Sequence, residues 1–148
     1  MAESSALGDF YRLCTAIEAK PQDGLSTLEL ELRELGEFRS YVGGGGSISY
    51  FLENSDAKPS RLASLFTKVG PSQLAAMLRD SSKIFPDDMP SNFSEKQAFV
   101  EQRLANLGKL NLESFEETGF DAIDSYFCRP EENAIFAAAM ALLGQSAA

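Results

Sequence analysis

The chain reads as an all-α protein, a single compact domain of about seven to nine short helices. Apolar residues recur three and four positions apart through most of its length, which is the spacing of one helical face. Between those stretches Gly, Pro, Asn and Asp stand where helices start and stop. No segment alternates in the way a half-buried strand requires, and no internal repeat is visible. With 148 residues, 44% of them hydrophobic, and 11 Phe, the chain is long enough to bury one core. The domain is taken as 1–148, with 1–4 and 144–148 as frayed tails.

The first helix is carried by Leu7, Phe10, Tyr11, Cys14 and Ile17, and Pro21-Gln22-Asp23-Gly24 ends it. Ser26-Thr27-Leu28-Glu29 has the spacing of a capping box and opens a second helix with Leu28, Leu32, Leu35 and Phe38 along one stripe. Glu29, Glu34 and Glu37 are expected to face away from that stripe, with Arg33 placed to pair with Glu29 at i+4. Gly43 to Gly46 are expected to stop this helix and to form a flexible connector, since each glycine adds backbone entropy and offers nothing to pack. No P-loop or dinucleotide fingerprint follows them.

Ser47 is placed to cap a short helix bearing Ile48, Tyr50, Phe51 and Leu52, closed by Asn54-Ser55-Asp56. Pro59 opens the next, where Leu62, Leu65, Phe66 and Val69 form an apolar face that Gly70 ends. Pro71 opens another with Leu74, Met77, Leu78 and Ile84, so Gly70-Pro71 reads as a tight corner between two helices. The stretch from Phe85-Pro86 through Asp87-Asp88 to Met89-Pro90 reads as a solvated turn, because the alternating ligands of a calcium loop are missing. Ser94-Glu95-Lys96-Gln97 has capping-box spacing ahead of Phe99, Val100, Leu104 and Leu107.

Charge concentrates in the last quarter. Of a formal net charge of -9, residues 110–148 hold -6: seven acids (Glu113, Glu116, Glu117, Asp121, Asp124, Glu131, Glu132) against Arg129. A helix over 112–127 would place Glu113, Glu117, Asp121 and Asp124 within about 80° of one another and along roughly 16 Å. That stripe approaches the charge spacing of a nucleic-acid backbone, with Phe120 and Phe127 as bordering apolar anchors. Pro130-Glu131-Glu132 then opens a last helix packed through Ile135, Phe136, Ala139, Met140, Leu142 and Leu143.

These features exclude several classes of function. A field of negative sign repels phosphate and anionic lipid and attracts basic surfaces, so neither nucleic acid nor membrane is expected as a direct ligand. There is no histidine, which removes the usual proton-transfer and zinc-binding side chain. Cys14 and Cys128 fit no metal spacing and read as two buried thiols in a reducing compartment, with a Cys14–Cys128 disulfide as the alternative. No secretory signal or membrane-spanning run is visible, so a soluble cytoplasmic protein is expected. An enzyme would need Asp121 with Asp124, or Asp87 with Asp88, as an acid and base pair, and nothing supplies a nucleophile, cofactor cradle or metal set. A non-enzymatic protein without cofactor or metal is the expectation.

The elements Gly45-Gly46, Tyr50-Phe51, Leu62-Ala63…Val69-Gly70, Leu74-Ala75…Leu78 and Phe85-Pro86…Pro90, with Asp124-Ser125-Tyr126-Phe127 after them, resemble the signature region of a family of small bacterial all-helical proteins. It is an uncharacterised-domain family whose best-known member is described as a DNA mimic. The chain departs from its pattern at Ser49, where the family has Gln, and at Asn54, displaced by one. The resemblance implies an all-α fold, frequent homodimers, and acidic surfaces that occupy the DNA-binding faces of other proteins. The expected function is thus an acidic interaction module for a basic, nucleic-acid-binding protein, through Glu113, Glu116, Glu117, Phe120, Asp121, Asp124, Glu131 and Glu132. An immunity or antitoxin protein that blocks a cationic nuclease toxin is the alternative.

Overall fold

In the computed structural model, residues 6–47, 50–51, 57–81, 85, 92–106 and 121–146 are described, and they hold seven α-helices, one short 3-10 turn and no strand. The first helix, α1 (Ala6–Glu18), turns Phe10, Cys14 and Ile17 inward, as its spacing predicts. After the 3-10 turn at Gln22–Gly24 comes α2 (Thr27–Gly45), the longest helix, and the capping box at its start is present. Ser26 Oγ accepts the Glu29 N–H at 3.1 Å while Glu29 Oε1 accepts the Ser26 N–H at 3.0 Å, satisfying two amides that the first turn leaves open.

α2 is the centre of the fold, with α1, α3 (Pro59–Val69) and α7 (Glu132–Ser146) packed around it. Leu32, Leu35, Phe38 and Val42 are buried along it, and so are Glu29, Glu31 and Glu34. Glu29 and Glu34, expected to face away from the leucine stripe, are buried there by other elements. A one-sided stripe leaves the opposite face wet only when a helix has neighbours on one side, and α2 has them on several. Glu29 Oε2 receives Lys20 Nζ at 2.5 Å, a partner from the turn after α1.

The glycine run does not stop α2 either. Gly43, Gly44 and Gly45 remain helical, and Gly46, at φ +86°, ends the helix with its N–H on the Val42 carbonyl at 3.1 Å. Each helical glycine costs about 1 kcal/mol, and the burial of Phe38 and Val42 on the same rod outweighs that. Only the left-handed turn itself demands glycine.

α3 begins on Pro59 and buries Leu62, Ala63, Leu65 and Phe66. Gly70, at φ +78°, ends it, and a cis Gly70–Pro71 bond leads into α4 (Ser72–Ser81), which buries Leu74, Ala75 and Leu78. Among the described residues these two helices form the most extensive helix pair. α5 (Phe93–Asn106) starts earlier than its capping-box spacing indicates, because Asn92 Oδ1 accepts the Glu95 N–H at 3.2 Å and acts as the cap. It turns Lys96 inward beside Val100. α7 runs on to Ser146, past the frayed end expected at 144.

A row of aromatic rings joins these elements through the core. Phe10 of α1 lies 5.0 Å from Phe136 of α7, and Phe127 joins Phe136 at 6.3 Å to Phe38 of α2 at 5.4 Å. From Phe38 the row continues to Tyr50 at 5.0 Å, to Phe51 at 5.1 Å and to Phe85 at 5.2 Å. Tilted and edge-on pairs of this kind contribute about 0.5–1.5 kcal/mol each beyond burial. Phe127, expected as a surface anchor, is instead the link between the two halves of the row.

The ion pair between Arg39 and Glu132 ties α7 to α2. It is a two-pronged pair, Nε to Oε2 at 2.8 Å and Nη2 to Oε1 at 3.1 Å, with side chains only 13% and 9% exposed. Removing one partner strands the other in the interior, so Arg39→Ala and Glu132→Ala are each expected to lose about 3–5 kcal/mol. The neutral double variant Arg39→Met/Glu132→Gln is expected to recover most of that. Urea unfolding of the three variants measures both effects.

Candidate partner-binding surface

Of the eight residues expected to bind a partner, Glu113, Glu116, Glu117 and Phe120 lie outside the described residues. Asp121 opens α6 (Asp121–Asp124), and its side chain is likewise outside them. Helix 112–127 is corrected at its C-terminal end: α6 stops at Asp124 and the chain passes through turns to α7. The cause lies in the bonds that follow. Tyr126 N–H reaches the Ile123 carbonyl at 3.1 Å and Phe127 N–H the Asp124 carbonyl at 3.0 Å, a tightened last turn that swings Phe127 into the core.

Three of the expected acids can be located, and they have different surroundings. Glu131 is exposed at the start of α7. Glu132, the next residue, is buried, and besides Arg39 its Oε2 accepts the Cys128 N–H at 2.8 Å. That bond holds Cys128 at φ +59° in the turn. Asp124 is half-buried, and its Oδ1 accepts the Ser47 N–H at 2.7 Å across 77 residues of chain. The fold thus places Asp124 against the exit of α2 and Glu132 against its middle, so these two carboxylates are engaged within the fold while Glu131 is exposed.

The fit at Asp124 requires Gly46. A Cβ there would come within 2.8 Å of Asp124 Oδ2, in a backbone conformation that side chains disfavour.

Sequence reasoning missed the carboxylates beneath the surface. Glu31, nearly fully buried, takes Lys68 Nζ of α3 at 2.5 and 3.1 Å. Glu34 lies against Tyr50, Lys58 and Arg61. A signal was available: Leu30 falls opposite the Leu28–Leu32–Leu35 stripe, which is the mark of a helix covered on more than one side. Burial pushes the Glu34 carboxyl pKa above its ordinary value, and the hydrogen bonds from Tyr50 and the Lys58 N–H oppose this only in part.

The cysteines separate. Both are free, Cys14 buried and Cys128 exposed, so the reading of two buried thiols is corrected at Cys128 and no disulfide joins them. Burial, with the charges of Glu18 and Glu37 added, pushes the Cys14 thiol up to about 12, so it stays protonated at neutral pH. Cys14 forms the floor of a groove of about 160 Å³ between α1 and α2. A second groove, of about 320 Å³, lies between α3 and α4 over Ala63 and Leu78. Among the described residues no group of three or more Cys, Asp or Glu is placed to hold a metal ion, and no helix is long and apolar enough to cross a membrane.

Comparison of the chain with protein-family models, with curated proteins and with solved structures gives no match.

The Asp124 junction can be tested against its neighbours. Asp124→Ala leaves the Ser47 N–H without its acceptor and is expected to cost about 1–3 kcal/mol, and Gly46→Ala is expected to be destabilising as well. Gly44→Ala, in an exposed helical position with nothing within 4 Å of the added carbon, is expected to stabilise by about 0.5–1 kcal/mol. Thermal unfolding of the three variants gives both signs.

Proposed function

We propose that this protein is a non-enzymatic, acidic interaction module whose C-terminal carboxylates bind a basic, nucleic-acid-binding protein, in the manner of a DNA mimic. The observation that carries the reading is the placement of unbalanced charge. Glu29, Glu31, Glu132 and Asp9 form ion pairs with Lys20, Lys68, Arg39 and Arg12. Each removes one charge of either sign, so the formal excess of nine negative charges falls on the remaining side chains. Glu131 is one of them, exposed on the chain segment that holds most of that excess. Charges of one sign at a surface speed encounter with the opposite sign and offer charge-assisted acceptors to Arg and Lys.

Asp124 and Glu132 support this surface from within, because one holds the exit of α2 and the other holds Arg39. The partner-facing set is accordingly Glu113, Glu116, Glu117, Asp121 and Glu131, with Phe120 as the apolar anchor.

The test is capture of proteins from a bacterial lysate on the immobilised protein, eluted in salt steps or with competing duplex DNA. Beside it runs a variant with Glu113, Glu116, Glu117, Asp121 and Glu131 changed to Lys. Basic DNA-binding proteins that bind only the native chain, and that duplex DNA displaces, are the expected result. A captured nuclease toxin would identify the immunity form of the same electrostatic reading. Binding that survives the five reversals, with helical content unchanged, would overturn it.

A further inference from the structure

A single carboxylate at the centre of the fold controls the start of α3. Glu34 sits on α2 with only 3% of its surface exposed. Its Oε2 accepts the Tyr50 hydroxyl and, at 3.1 Å, the backbone N–H of Lys58, the residue just before α3. The same N–H also reaches the Tyr50 oxygen at 3.1 Å. Two points in the chain, Tyr50 and Lys58, are thus held together by one oxygen atom, and no side chain caps α3 to replace it.

Among the described residues, no cation stands as close to Glu34 as those that pair with Glu31 and Glu132. Arg61 Nη1 stands 3.7 Å from Glu34 Oε1, and its side chain is 31% exposed. By contrast Lys68 Nζ lies at 2.5 Å from the buried Glu31, and Arg39 grips Glu132 with two bonds. Of these three buried carboxylates Glu34 has the weakest counter-charge. Glu37, one turn along α2, adds repulsion to the ionised form, while Arg61 of α3 and the bonds from Tyr50 and the Lys58 N–H act against it.

We propose that Glu34 is a proton-operated latch on the start of α3, closed while the carboxyl carries its proton and easing open when it is ionised. The neutral acid keeps both bonds through Oε2 as a carbonyl oxygen. Ionisation leaves a desolvated charge beside a distant guanidinium, and opening gives that charge to water. Linkage gives the same sign. The closed carboxyl has a pKa raised by burial, whereas the open one has its ordinary value, so the closed state holds the proton more tightly. The stabilisation is complete below the ordinary carboxyl pKa and is lost as pH rises through the raised one.

Amide hydrogen exchange at Lys58, corrected for the intrinsic rate, tests this from about pH 5 to about pH 8. It is read beside an NMR titration of the Glu34 carboxyl carbon, with the Leu35 amide as the reference for global unfolding. Protection of Lys58 is expected to fall with rising pH along the Glu34 titration, by about tenfold for each unit that separates the closed and open pKa values, while Leu35 holds. Glu34→Gln, which is permanently neutral, is expected to keep Lys58 protected throughout. Level or rising protection as Glu34 titrates would overturn the latch, and so would a carboxyl that titrates with the exposed glutamates. The wild-type curves decide the matter if the variant does not fold.

Discussion

The fold depends on the neutralisation of the acids that α2 carries into the interior. A helix surrounded by α1, α3 and α7 would ordinarily be apolar on all sides, yet this one buries Glu29, Glu31 and Glu34. Unpaired, such groups would cost far more than the leucines beside them return. Each is met from a different point in the chain: Lys20 after α1, Lys68 near the end of α3, and Tyr50 with the Lys58 amide before α3. Apolar packing alone would let α3 slide or rotate along the leucine stripe, because hydrophobic burial has no direction. The carboxylates remove that freedom, since a shift of one turn would strand Glu31 and Glu34 together.

The same logic orders the C-terminal half, with the roles of the charges exchanged. Arg39 is the half-buried cation on α2, and α7 brings Glu132 to it, so the helix is fixed against the central rod at its first residue. Phe127 and Asp124 enter just ahead of that point. One closes the aromatic row between Phe136 and Phe38, and the other takes the amide that leaves α2 after Gly46. The turn between α6 and α7 therefore carries an apolar, a polar and an ionic link within nine residues, 124–132. Such a short segment with three directional attachments has little room to reorient, which makes it a firm base for the exposed Glu131.

Much of this was legible in the sequence where a single local rule decides. The inward faces of α1, α3 and α4, the capping box at Ser26, proline at the start of α3 and the Gly70-Pro71 corner all follow from spacing and from the chemistry of helix ends. Reading failed where tertiary context overrides the local rule. The glycines at 43–45 remain helical because the preceding turns are anchored by Phe38 and Val42, and a residue-by-residue propensity contains no such term. Glu132 looked like a free acid in a favourable first turn because its partner lies 93 residues away. Cys128 and Phe127 depend on where α6 stops, and helix ends are the least determined part of any periodic pattern. The proposed site shared this weakness, since charge segregation is visible in a sequence while the inward or outward direction of each carboxylate is not.

Internal pairing also sets how salt acts on the molecule. The pairs made by Arg39 and Glu132 and by Lys68 and Glu31 include strongly buried groups, and buried charges are screened far less than exposed ones. The unbalanced charges behave otherwise. They repel one another across the surface of the free protein and oppose the compact state, so screening favours the fold. In the proposed complex with a basic partner the same charges would supply attraction, and screening would remove it. Salt thus acts on the free fold in one direction, because it eases the repulsion among unmatched charges and leaves the buried pairs largely untouched. In the complex proposed above, a partner of opposite sign would relieve that self-repulsion, so the strain that a net charge of -9 places on the free fold would add to the driving force for association.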